Sequence, residues 1–161
     1  MTGTDIQQSI QRYLGASVAP ADVIAVVNEC LDAIGDRALI HDTIPLTLVA
    51  RVWEELPNVT SIIGVLVNNK PYNKWQTKGT SIRVHDAGDY VVKVRKMADH
   101  IDGIGDTVEI HRLFHFSILC YVRGTFKLFD DDESADGHKL IQQFEEETNK
   151  AYETLTKIRT Q

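Results

Sequence analysis

The sequence predicts an α+β fold: a helical bundle of two N-terminal and two C-terminal helices, with an inserted antiparallel β-hairpin or small sheet. Three observations predict it. Apolar residues recur at three- and four-residue spacing before residue 36 and after residue 107. The period changes to two between about residues 46 and 97. The order is helices, strands, helices, and not alternating βαβ units. The 161 residues fit one domain, with a helical body over 4–36 and 107–159 and a β insertion over about 46–97.

In the first helix Thr4 is the expected cap, Ile6, Ile10, Tyr13 and Leu14 form a stripe, and Gly15 ends it. The second starts near Pro20, where a missing N–H costs nothing. Val23, Val26, Val27, Cys30, Leu31 and Ile34 then mark one buried face, and Gly35 supplies the stop.

In the middle, Ile62, Ile63, Val65, Leu66 and Val67 read as a strand running into the turn residues Asn68, Asn69, Lys70 and Pro71. Ile82 and Val84 alternate with Arg83 and His85, and Tyr90, Val92 and Val94 alternate with Val91, Lys93 and Arg95. With Asp86-Ala87-Gly88-Asp89 between them, these predict a hairpin from Ser81 to Arg95, one face apolar and one basic. Leu48 to Trp53 reads as a further strand ended by Pro57, with a helix over Leu46 to Glu55 as the other reading.

Towards the C-terminus, Asp106 and Glu109 have capping-box spacing ahead of an almost wholly apolar helix through Leu113 to Val122. So few polar positions imply burial at the centre of the bundle or between subunits. After an acidic linker Ser134 caps a final helix. Its Ile141, Phe144, Thr148, Ala151, Leu155 and Ile158 form a seam for antiparallel packing on the preceding helix.

Hydrophobic residues at 43% and charged residues at 25% exclude disorder, and a net charge of −6 argues against a protein that grips nucleic acid. Cys30 and Cys120, far apart in the chain, are expected to be free thiols in a reducing compartment. Met1 to Gln11 is polar, so no signal peptide is expected, and the densest apolar segment is too short to cross a membrane. The charge is uneven. Residues 70–96 hold seven basic and two acidic side chains, a net +5, which leaves −11 on the rest of the chain.

His41-Asp42-Thr43-Ile44 and His115-Phe116-Ser117-Ile118 resemble the paired His-x-Thr/Ser motifs of two-histidine phosphoesterases. In that chemistry two imidazoles act as base and acid while the hydroxyls hold phosphate. It requires strands, where residues two apart point the same way, yet His115 lies in a helical pattern and Pro45 follows the first motif. His111 and His115 have the spacing of a metal half-site on one helix, but lack the intervening Glu of a zincin and read better as an interhelical or interfacial pair. No glycine-rich phosphate loop occurs, and no cofactor is expected.

Lys70 to Gly79 interleaves Lys70, Lys74 and Lys78 with Tyr72 and Trp75, a composition suited to stacking single-stranded nucleic acid or to anchoring a protein interface. The acidity of the chain favours the interface. Those five residues, with Lys93 and Arg95, with Asp130, Asp131 and Asp132, and with Ile158 and Arg159, are the interface candidates.

Four segments, in order, carry a family resemblance. They are the helix Val23 to Asp36 with its Ile34-Gly35 step, the run Glu55-Leu56-Pro57 to Val65, the strand Gly88-Asp89-Tyr90-Val91-Val92, and the Phe114-His115-Phe116 helix followed by an acidic linker and a long helix. Together they resemble tailed-bacteriophage head-to-tail adaptor (head completion or connector) proteins. The resemblance implies a structural, non-enzymatic virion protein of the neck, assembled in the host cytoplasm. It implies a homo-oligomeric ring, twelve-fold by the family, docked on the portal protein and meeting a tail-side stopper or tail completion protein. Genomic DNA would pass the lumen without tight binding. The two-histidine phosphoesterase and a small phage regulatory or binding module are the alternatives.

Overall fold

The computed structural model describes residues Met1–Arg159, apart from the Arg159 side chain. It is an α+β protein, with four α-helices and two small antiparallel sheets among the described residues. The described residues form two compact units: 1–38 with 98–159, which holds their α-helices, and Leu39–Met97, which holds their strands.

In the helical unit α1 (Gly3–Leu14) is capped by Thr2 and not Thr4. Thr2 and Asp5 exchange side-chain-to-backbone hydrogen bonds in a capping box, at 3.2 and 2.8 Å. Thr4 is already helical, and its hydroxyl donates to the Ile104 carbonyl. Gly15 ends α1 in the left-handed conformation at φ +69°. α2 (Pro20–Ile34) buries all six expected apolar positions, Cys30 among them. Asn28 of α2 clamps the following loop, donating to the Ile101 carbonyl at 3.0 Å and accepting from its N–H at 2.9 Å.

The helix expected from Asp106 begins later. The Asp106 carboxylate turns back to accept from the N–H groups of Asp102 and Gly103, so it caps a loop. A 3-10 turn at Arg112–Phe114 leads into α3 (His115–Asp130), which runs past the expected Val122. α3 packs against α1, α2 and the final helix α4 (Ala135–Arg159). Ser134 accepts from the Gly137 N–H ahead of α4, as its position predicts. The antiparallel seam holds through Phe144, Thr148, Ala151 and Leu155, and Tyr121 of α3 meets Phe144 edge-on at 4.9 Å. The seam stops there, because Ile158 is 57% exposed.

The strand unit starts at Leu39 and not near residue 46. Its first strand, β1 (Ile40–Leu48), escapes the sequence reading because polar residues fill its outer face and Pro45 interrupts it. Proline is tolerated since β1 is an edge strand. β2 (Glu54–Glu55), β3 (Ser61–Val67), β4 (Lys70–Pro71), β5 (Trp75–Lys78), β6 (Ser81–Val84) and β7 (Gly88–Lys96) follow. Leu48 to Trp53 is neither strand nor helix beyond Leu48; the chain turns there through Arg51 at φ +62°. Asn68 and Asn69, at φ +50° and +61°, form the two-residue turn joining β3 to β4.

β6 and β7 do not form the expected hairpin. β7 pairs with β1 and β3 in a sheet ordered β1-β7-β3-β4, whereas β6 lies between β2 and β5 in a second sheet. Both strands bury one alternating face, Ile82 and Val84 from one and Tyr90, Val92 and Val94 from the other, in a single core. Pairing them as a hairpin would place both apolar faces on one sheet and leave the core without its second wall.

Candidate functional site

A cluster of cationic side chains lies in the strand unit, around β5 and β6. A cavity of about 380 Å³ is lined by Arg51, Lys74, Trp75, Arg83 and His85, with Asn73, Gln76 and Val84 completing the wall. β5 and β6 pair Trp75 with Val84 and Gln76 with Arg83, which sets the order of these groups along the sheet. Arg83 is held in place twice: a guanidinium nitrogen donates to Gln76 Oε1, and its Cζ lies 4.8 Å from the centre of the Trp53 ring. Arg51 is fixed through its backbone, whose N–H donates to the Val84 carbonyl at 2.8 Å. His85 donates its own N–H to the Lys74 carbonyl.

No Asp or Glu is among the described residues lining this cavity. Asp86 follows the lining residue His85, bound at 2.8 Å to His85 Nδ1 and at 3.1 Å to the Tyr72 hydroxyl. Hydrogen bonds from His85 and then Tyr72 hold the Asp86 carboxyl below its ordinary value, so it is engaged and ionised beside the cavity. Glu54 and Glu55 on β2 belong to the same sheet but do not line it. The site is therefore a cationic recess in which the Arg83 guanidinium is held in place, suited to an anionic group from a partner.

Of the sequence-predicted interface residues, Lys74 and Trp75 enter this cavity. Trp75 is half-buried against the strand core, and Tyr72 is packed at 5.1 Å against Tyr90. Lys70 and Lys78 are exposed on β4 and β5, outside the lining. Lys93 and Arg95 lie on β7. Lys93 shares a shallow depression with His41, Asp42 and Thr43, and Arg95 donates to His41 Nε2 at 3.3 Å. Asp130, Asp131 and Asp132 are exposed where α3 ends, in the helical unit; the Arg159 side chain lies outside the described residues. Sequence reasoning missed Arg51 and Arg83. A signal for Arg83 existed in its outward position between Ile82 and Val84, but Arg51 enters only through a turn that no local pattern announces.

The two histidine motifs differ in structure. His41 and Thr43 project from the outer face of β1, as strand geometry allows. His115 and Ser117 belong to the helical unit, where Ser117 is wholly buried with no hydrogen-bond partner for its hydroxyl, so it cannot hold a phosphate. His111 precedes α3 and accepts from the Leu113 N–H, so it and His115 do not stand one turn apart on a helix. Among the described residues no three His, Cys, Asp or Glu side chains gather as metal ligands, and no helix is long and apolar enough to cross a membrane. No protein-family model matches the chain, and no curated protein matches it in sequence.

Proposed function

We propose that the chain is a structural virion protein of the neck, a head-to-tail adaptor that forms a ring between the portal and the tail-side stopper or completion proteins. The observation that carries this reading is the division of charge between the two compact units. Leu39–Met97 has eight basic and five acidic residues, a net +3, and the remainder has nine basic and eighteen acidic, a net −9. A closed ring needs head-to-tail contacts between two different, complementary faces of one subunit, and opposite charge on two units supplies such a pair. An overall −6 lets DNA pass the lumen without the counterion release that drives tight binding.

The test is native mass spectrometry of the full chain mixed with its cognate portal. A complex holding a ring of copies is expected, weakened when Lys70, Lys74 and Lys78 are together reversed to Glu. Absence of any association between the wild-type chain and the portal would overturn the reading.

A further inference from the structure

We propose that the cationic cavity on β5 and β6 receives the acidic turn Asp130–Glu133 of a second copy of this chain. The proposal rests on the ring reading and names the contact that would close the ring.

Four features on the cavity side define its occupant. Arg51, Lys74 and Arg83 converge on about 380 Å³ with no acidic residue in the described lining. The Arg83 guanidinium, held by Gln76 and the Trp53 ring, favours a carboxylate, which a planar guanidinium binds in a fork. Stacking of nucleobases is disfavoured: Arg83 covers one face of the Trp53 ring, and Trp75 is half-buried against the core. Val49 and Val52, which flank Arg51, are 63% and 51% exposed, an apolar rim that suits a protein partner.

The acidic turn carries the complement of each. Asp130, Asp132 and Glu133 are exposed, and none makes an ion pair among the described residues. The turn is already ordered: Asp131 N–H donates to the Lys127 carbonyl, Ser134 N–H to the Asp131 carbonyl, and Glu133 N–H to the Asp131 side chain, at 3.0, 3.1 and 3.2 Å. Little conformational freedom is lost when such a turn docks. Phe129 stands beside it, 68% exposed, and matches the exposed valines as the carboxylates match the cations.

A peptide spanning residues 128–136 is titrated into the full-length chain, whose two tryptophans both report on the cavity: Trp75 lines it, and Trp53 lies under its Arg83. Saturable change in tryptophan fluorescence is expected, with affinity weakened about tenfold by Lys74→Glu or Arg51→Glu in chains that keep their circular dichroism. Phe129→Ala in the peptide should weaken it further. No saturable change, indifference to both substitutions, or equal competition by inorganic phosphate or a single-stranded oligonucleotide would each sink the proposal. Portal association that survives these results leaves the adaptor reading standing. Peptide binding without portal association removes the adaptor reading alone.

Discussion

Gly124 of α3 and Gly137 of α4 face each other across the helix seam. A methyl group on Gly124 would lie 3.1 Å from the Gly137 carbonyl oxygen, and one on Gly137 3.4 Å from the Gly124 carbonyl oxygen. Ile141 and Leu128 fill the remaining space, the first 3.0 Å from a methyl on Gly124 and the second 2.9 Å from one on Gly137. The backbones approach this closely because neither residue has a side chain.

Gly124→Ala is therefore expected to destabilise, although alanine favours a helix by about 1 kcal/mol. Overpacking costs about 1–3 kcal/mol, and here one of the obstructing atoms is backbone that moves only with its helix. A net loss of about 1 kcal/mol should appear as a lower urea midpoint, with a larger loss for Gly124→Val.

Thr148→Val is expected to act in the opposite direction. The Thr148 hydroxyl is completely buried in α4 with no hydrogen-bond partner, and valine keeps the shape while removing the stranded polar atom. A gain of about 1 kcal/mol in the same urea measurement is expected. Ser117→Ala on α3 removes a second stranded hydroxyl and should also stabilise, by less, because nothing fills the space the oxygen leaves.

His115 should make the helical unit sensitive to mild acid. Burial holds its imidazole below the ordinary value of 6.5, helped by the N-terminal amine and His111. The folded state thus takes up a proton less readily than the unfolded chain. The stability this gives is present above about pH 6.5 and is lost as pH falls through the lower folded value. Thermal melts between about pH 7 and 5 should decline less steeply for His115→Gln than for the wild type.

The helices were legible because their information is local. Val23 to Ile34 shows its buried face in its own spacing, and Gly15, Gly35 and Ser134 act within a turn of where they stand. The helix starts were less legible. Thr2 and Thr4 are both plausible caps, and Asp106 offers its carboxylate to residues before it as readily as to residues after it. Strand pairing was the least legible. Val84 and Gly88 are separated by a turn that looks like a hairpin, yet β7 is claimed by β1, some fifty residues upstream, and β6 by β5. Such choices depend on closing a core with two walls, and a period-two pattern is the same whichever neighbour a strand takes. The candidate site was legible as the Lys70 to Gly79 segment, but two of its three cations, Arg51 and Arg83, come from outside that segment.

Both cysteines, Cys30 and Cys120, are buried in the helical unit, and both tryptophans, Trp53 and Trp75, belong to the strand unit. The chain thus carries two native reporters that do not overlap. Thiol labelling reads the opening of the helices and indole emission reads the strands, so whether the two melt together or in sequence is measurable without adding a single probe.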